Sequence, residues 1–348
     1  MNDLAELKHY IVAHARGQRI GGLTGKLASI VDDGDGPGSW VTRWSAEGAA
    51  LKDRGQWLPA SRHYIMARFP YPDRPARTRA AQHATAAFER WRAGRDLHPL
   101  DFTHNGHPVR CWQSGLSATR PRPLVVIMGG HLTVKEQWAP RLGFFRRLGL
   151  AAVVADIPGI GDNAVPYDAQ AHLFLSSLLD AVGDRAEVRQ TYAITLSFSG
   201  HLALRCALRD QRLRGVVTAG APIRSFFTDP AWQARLPRVT TDTLSHLTET
   251  SLDRLGDWAI SPAELAALRI PVAAVASSRD EIIPPEDLLV LRDNVRDFRV
   301  LSHDDVHGAP KHTLESMAWT ALSIQRMRGR SALPLRLLVR AARLAVAR

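Results

Sequence analysis

The sequence predicts an α/β fold in which a mostly parallel sheet carries helices on both faces and follows an N-terminal helical cap. Three observations carry this expectation. Short, continuous apolar runs recur at Leu124–Met128, Ala151–Ala155, Tyr192–Leu196, Gly215–Thr218 and Val272–Ala276, as strands covered on both faces require. Stretches of helical spacing separate them, at about Lys135–Leu148, at Ala171–Val182 and from Leu202 onward, and alternation of strand with helix is the signature of a parallel sheet. Residues 1 to about 118 lack that alternation and read as a helical appendage, a linker and the first short strands.

In chain order, Leu4–Val12 places apolar residues at helical intervals, Asp32–Gly38 is loop, and Trp40–Arg54 is helical again. A further helix, Arg77–Arg92, follows the break Phe69-Pro70-Tyr71-Pro72. Trp40, Trp44, Trp57, Tyr64 and Phe69 either line an aromatic-sized cavity or pack these helices together, and a helical segment in this place has the means to roof a pocket. Short strands are expected at Asp101–Thr103 and Val109–Trp112, around the turn Asn105-Gly106. A catalytic domain is expected over 119–325, with the last strand at Asp297–Leu301 and a closing helix at Thr313–Ile324. Within it, 226–268 is a polar, helix-prone insertion with the character of a lid, and 326–348 is a basic tail.

The formal net charge of +11 invites a nucleic-acid reading, but seven arginines and no acid fall within 326–348, so the excess is local. No zinc finger, basic zipper or aromatic RNA-binding strand is present, and nucleic acid is not an expected partner. Leu333–Arg348 can form a helix with Arg336, Arg340 and Arg343 on one side and Leu337, Leu338 and Leu344 elsewhere. That pattern suits a solvated terminal helix, and it also suits an anionic membrane surface or an acidic partner; a homodimer is left open. Cys111 and Cys206 stand far apart with no C-x-x-C or zinc spacing, which fits a reducing compartment and argues against a structural metal. With no run of 18 apolar residues and with Asp3 and Glu6 at the start, a cytoplasmic location is expected.

The chemistry centres on Thr195-Leu196-Ser197-Phe198-Ser199-Gly200-His201, where a buried strand turns sharply into a helix. A serine in such a turn is the nucleophile elbow, written G-x-S-x-G, in which the places two before and two after the serine are small. Here they hold Thr195 and Ser199. Ser199 is a second candidate nucleophile, but it would put His201 at the crowded place, so Ser197 is preferred. A serine hydroxyl needs a base within hydrogen-bond reach and a third group that orients the base. Asp280 sits where the chain leaves the strand ending at Ala276, with Glu281 as fallback, and His307 follows it by 27 residues, room for a helix, a strand and a loop. His303 and His312 compete with His307. An oxyanion needs preorganised N–H donors: the amide of Phe198 supplies one and that of His131, after Gly129-Gly130, the second, with Leu132 as the alternative. The glycine pair lacks both G-x-G-x-x-G and the Lys-Ser/Thr ending of a phosphate loop, so no cofactor and no metal are expected.

With these residues in place, the chain resembles the α/β-hydrolase superfamily, in the branch of 2,6-dihydroxypseudooxynicotine hydrolase, the fermentation-respiration switch esterases and the fungal pigment hydrolases that shorten polyketides. The resemblance runs through 55–70, Gly129-Gly130-His131-Leu132-Thr133-Val134-Lys135-Glu136, Asp156-Ile157-Pro158-Gly159-Ile160-Gly161 and the elbow. Leu132 departs from the Asp common at its place, and Thr195 and Ser199 depart from the elbow glycines. The resemblance implies an α/β-hydrolase fold and hydrolysis of a small-molecule substrate through an acyl-enzyme. The bond cleaved would lie beside a ketone in a polyketide or aryl ketone of secondary metabolism, or would be an ester or thioester. A hypothesis of another class is a non-catalytic binding or scaffold protein on the same fold, which the altered elbow motivates.

Overall fold

The computed structural model describes residues 2–346, which fall into two compact units: the chain up to His98 with Pro237–Thr243, and Pro99–Leu236 with the chain from Leu244 onward. The first unit is helical, built from α1 (Leu4–Gly17), α2 (Leu23–Ala28), α3 (Trp40–Asp53), α4 (Trp57–Arg68) and α5 (Pro75–Arg92). Asp3 starts α1 by accepting the amides of Ala5 (2.8 Å) and Glu6 (3.0 Å), which satisfies donors that a helix start leaves open. Leu7, Ile11 and Ala15, one turn apart, are the buried stripe of α1. Trp40, Trp44, Tyr64 and Phe69 are buried, and the Trp40 indole donates to the Met66 carbonyl at 2.9 Å, joining α3 to α4. Arg77 on α5, fully buried, pairs with Asp33 of the acidic loop and with Asp73 just ahead of its own helix.

The second unit is an eight-stranded sheet in the order β1 (His98–His104), β2 (His107–Ser114), β4 (Ala151–Ala155), β3 (Pro123–Met128), β5 (Glu187–Leu196), β6 (Leu213–Ala219), β7 (Val272–Ser277) and β8 (Phe298–His303). β2 runs antiparallel to β4, and every pair from β4 to β8 is parallel. All five residues of β4 are buried, as a strand with both faces covered demands. The helices α6 (Leu142–Arg147), α7 (Phe174–Ala181) and α8 (Phe198–Ala207) fall between the strands. This is the α/β-hydrolase fold. The long helix expected over Lys135–Leu148 is not formed: two short 3-10 turns, Lys135–Gln137 and Ala139–Arg141, precede α6. Pro140 lacks the N–H that a continuous α-helix would use at that position.

The loop after β3 is fixed from below by a buried charge cluster. Lys135 is 1% exposed, its amide donates to Asp156 Oδ1 (2.6 Å), and its ammonium reaches Asp156 (3.1 Å), Glu136 (3.1 Å) and Asp162 (2.6 Å). Burial alone would lower the Lys135 pKa, but the three carboxylates outweigh it and hold the ammonium well above its ordinary range. Gly161, at φ 58°, passes so close to Asp156 that a Cβ there would stand 2.3 Å from Oδ2. The Asp156–Gly161 loop is therefore wrapped around a carboxylate. Removing one partner of a buried charge network leaves the others uncompensated, and Lys135→Met is expected to destabilise the chain by about 3–5 kcal/mol in chemical unfolding.

The insertion after β6 contains α9 (Ser225–Thr228), α10 (Pro230–Gln233), α11 (Arg238–Thr248) and α12 (Pro262–Ala267), with 3-10 turns between them. Its root is held by Asp287 of α13 (Pro285–Asn294), whose carboxylate accepts the amides of Ile223 (2.8 Å), Arg224 (3.0 Å), Ser225 (2.6 Å) and Phe226 (3.3 Å). Burial nonetheless pushes the Asp287 carboxyl up to about 6.

Two helices close the chain, α14 (Thr313–Met327) and α15 (Leu333–Val346). α15 buries Leu335, Val339 and Ala342, anchors to Glu315 through Arg343 (2.8 Å), and exposes Leu333, Leu337, Leu338 and Leu344. Arg348, at the end of the expected basic tail, lies outside the described residues. Among the described residues no helix is long and apolar enough to cross a membrane.

Candidate active site

The elbow is built as the strand-turn-helix pattern requires. β5 ends at Leu196, α8 begins at Phe198, and Ser197 between them has φ 58° and ψ −126°, a sparsely populated conformation that costs energy and persists where the surroundings impose it. Thr195 fits in spite of its branched side chain because its hydroxyl donates across the sheet to the Val217 carbonyl at 3.1 Å. Ser199, the second candidate, is engaged by the backbone. Its fully buried oxygen accepts the Leu196 amide (2.8 Å), while its hydroxyl hydrogen is shared between the carbonyls of Leu196 (3.0 Å) and Met128 (3.1 Å). The demand for a small residue falls one place later, at Gly200, where a Cβ would stand 2.3 Å from Thr218 Oγ1 and 2.5 Å from the Ala221 Cβ.

Three residues from three strand ends meet at this turn. His307 Nε2 lies 3.1 Å from Ser197 Oγ, and its Nδ1 lies 3.0 and 2.9 Å from the two oxygens of Asp280. With Nδ1–H donating to the carboxylate, the Nε2 lone pair is left for the serine hydroxyl. Asp280 is itself held, accepting the amides of Ile282 (3.0 Å) and Ile283 (2.8 Å) through Oδ1. Glu281 does not take its place; it accepts the His307 backbone amide at 3.0 Å and so fixes the loop that carries the ring. Burial by itself would lower the His307 pKa, but the charge and hydrogen bond of Asp280, with a smaller contribution from Glu281, outweigh it and hold the imidazole above its usual value.

The other two histidines sit elsewhere. His303 is still the last residue of β8, bonded to Ser316 Oγ at 3.1 Å and stacked on His312 at 4.2 Å. His312 ends the 3-10 turn Pro310–His312 ahead of α14.

The loop Gly129-Gly130-His131-Leu132 runs along the other side of Ser197. A Cβ on Gly130 would come within 3.1 Å of the Ser197 Cβ, and one on Gly129 within 2.0 Å of Thr133 Oγ1. The ring of buried His131 meets that of Phe198 edge-on at 4.6 Å. The structure thus brings together the residues of both expected oxyanion donors. Leu132, which departs from the expected Asp, is buried as well.

One neighbour escaped sequence reasoning. Gly220, the residue after β6, has φ 60°, and a Cβ there would stand 2.6 Å from His307 Cε1, 2.9 Å from Nδ1 and 3.2 Å from Asp280 Oδ2. A glycine at the carboxyl end of a strand next to the elbow strand was the available signal, since glycine there marks a close approach of other groups.

Known proteins are similar to this chain in sequence and fold. The family described as esterase FrsA-like matches residues 38–258. Esterase FrsA of Photobacterium profundum is 22% identical over 322 residues, covering 80% of this chain and 76% of that protein. The solved structure of wild-type AbyA5 is 47% identical and superposes with a TM-score of 0.93 over 99% of both chains. The crystal structure of 2,6-dihydroxy-pseudo-oxynicotine hydrolase, 14% identical, shares the fold with a TM-score of 0.72 over 92% of this chain and 97% of that one. Matched over more than half its length, the chain belongs to the FrsA-like esterase family, on an α/β-hydrolase fold.

Proposed function

We propose that the chain is a serine hydrolase that forms an acyl-enzyme on Ser197 from a small-molecule ketone, cleaving the carbon–carbon bond beside the carbonyl. The contact of 3.1 Å between His307 Nε2 and Ser197 Oγ carries this reading. In it, His307 takes the hydroxyl proton as Oγ bonds to the carbonyl carbon, and Asp280 holds the imidazole in the tautomer that accepts it. The amides of Phe198 and His131 stabilise the oxyanion. As the tetrahedral adduct collapses, the bond's electron pair leaves on carbon and His307 returns its proton there. A second carbonyl or a phenol in the substrate spreads that charge. Water then attacks the acyl-enzyme with His307 as base, so one water is consumed and one carboxylic acid is released.

An ester or thioester is the second reading. It is favoured by the curated relative's name, esterase, and it uses the same side chains. Mass spectrometry of the products from a synthetic 1,3-diketone, an aryl ester and an acyl thioester separates the two. Carbon–carbon cleavage predicts that the diketone is turned over most efficiently, and hydrolysis of the ester or thioester with an inert diketone overturns it.

The pH dependence follows from the charges around His307. The imidazole must be neutral to accept the proton, so the rate is expected to fall as pH drops through a pKa above the ordinary ~6.5. Asp280→Asn removes the carboxylate that raises this pKa. It is expected to lower kcat by about 10⁴-fold and to move the acid limb of the residual pH–rate profile toward lower pH, measured from kcat/KM across pH 5–9.

A further inference from the structure

Two more histidines bracket the loop that carries His307. His303 ends β8, His312 closes the turn before α14, and their rings stack at 4.2 Å with an interplanar angle of 16°. Glu315, in the first turn of α14, completes the group, and one donor atom from each of the three residues lies within 4.8 Å of the others. His303 and Glu315 are 6% and 3% exposed.

Two of the three donors, His303 and Glu315, already have the outer partner that orients a metal ligand. His303 Nε2 pairs with Ser316 Oγ at 3.1 Å, which leaves Nδ1 facing Glu315 Oε2 across 4.0 Å. That gap is too long for a hydrogen bond. Arg343 Nε holds Glu315 by the other oxygen, Oε1, at 2.8 Å. His312 Nδ1 is buried with no hydrogen-bond partner. A hollow lined by Ser302, His303, Asp304, His312, Glu315 and Arg343 opens the cluster to solvent.

We propose that His303, His312 and Glu315 form a site for a zinc-class divalent ion, with water in the fourth position, that clasps the two ends of the loop 304–311. Two imidazoles and one carboxylate select zinc, cobalt or nickel over calcium and magnesium, which prefer oxygen alone. Donors on a tetrahedral zinc lie about 3.4 Å apart, given bonds of about 2.1 Å. Half-exposed His312 supplies the small inward movement this requires. The positive charge of Arg343 makes the site weaker than an all-protein zinc centre. The role assigned to His307 under the proposed function matters only for what the clasp restrains, and metal binding is tested without it.

The test uses the full chain, freed of metal by chelation and titrated with zinc by calorimetry, with cobalt as a spectroscopic probe. One zinc per chain is expected, with a visible cobalt band of tetrahedral intensity and a rise in Tm on adding zinc. His312→Ala, at a half-exposed position, and Glu315→Gln are each expected to weaken zinc at least tenfold and to abolish the rise in Tm. Ser197→Ala is expected to bind zinc as the parent does. Equal zinc affinity in His312→Ala and the parent, or loss of binding in Ser197→Ala, would place any bound ion elsewhere and overturn the proposal.

Discussion

Ser197→Ala is expected to lower kcat by about a million-fold while leaving the unfolding curve unchanged. The magnitude is that of removing a serine nucleophile whose base and orienting acid act as a unit. The substitution deletes one oxygen at 3.1 Å from His307 Nε2 and leaves the buried backbone of the elbow, including the Ser199 contacts, in place. Labelling with a fluorophosphonate probe gives a parallel readout: the parent should be modified at Ser197 alone, and the variant not at all. Turnover at the parental rate in the variant would refute the mechanism. A folded parent that resists the probe and turns over none of the three substrates would favour the scaffold reading instead.

Gly220→Ala is expected to cost at least about a hundredfold in kcat, since a displacement of about 1 Å at a reacting group has that effect. A methyl at this place cannot coexist with the His307 ring, whose Cε1 would be 2.6 Å away, nor does φ 60° suit a side chain. The imidazole and Asp280 must shift together. A stability loss of about 1–3 kcal/mol accompanies the backbone strain, so thermal unfolding should be recorded beside kcat. The acid limb of the pH–rate profile tells the two effects apart. A displaced His307–Asp280 pair moves that limb, whereas simple loss of folded protein lowers the rate equally at every pH.

Much of this arrangement is legible along the chain because it depends on local order. Apolar runs of strand length mark where β3 to β7 lie, and the turn from β5 into α8 singles out Ser197. Asp280 and His307 follow from the rule that ligands gather at the carboxyl ends of parallel strands. What escapes is set by approach through space. Nothing near Gly220 in sequence announces His307, and nothing near Asp287 announces the four amides at the root of the insertion. Lys135 reads as the start of a helix, but three carboxylates and Pro140 decide its surroundings. The argument against a metal rests on cysteine spacing, which does not weigh histidine and carboxylate donors such as those of the proposed site. Thr195 looks like a defect in the elbow until its bond to Val217 is taken into account.

Ser199 has a practical consequence for anyone redesigning this protein. Placing glycine at that position, as the G-x-S-x-G pattern would recommend, strips a partner from the Leu196 peptide nitrogen and frees two carbonyls from the clasp that joins β3 to the turn. A motif applied position by position assumes that each position is independent. Here a hydroxyl stands in for missing space, and the apparent repair would loosen the corner it was meant to perfect.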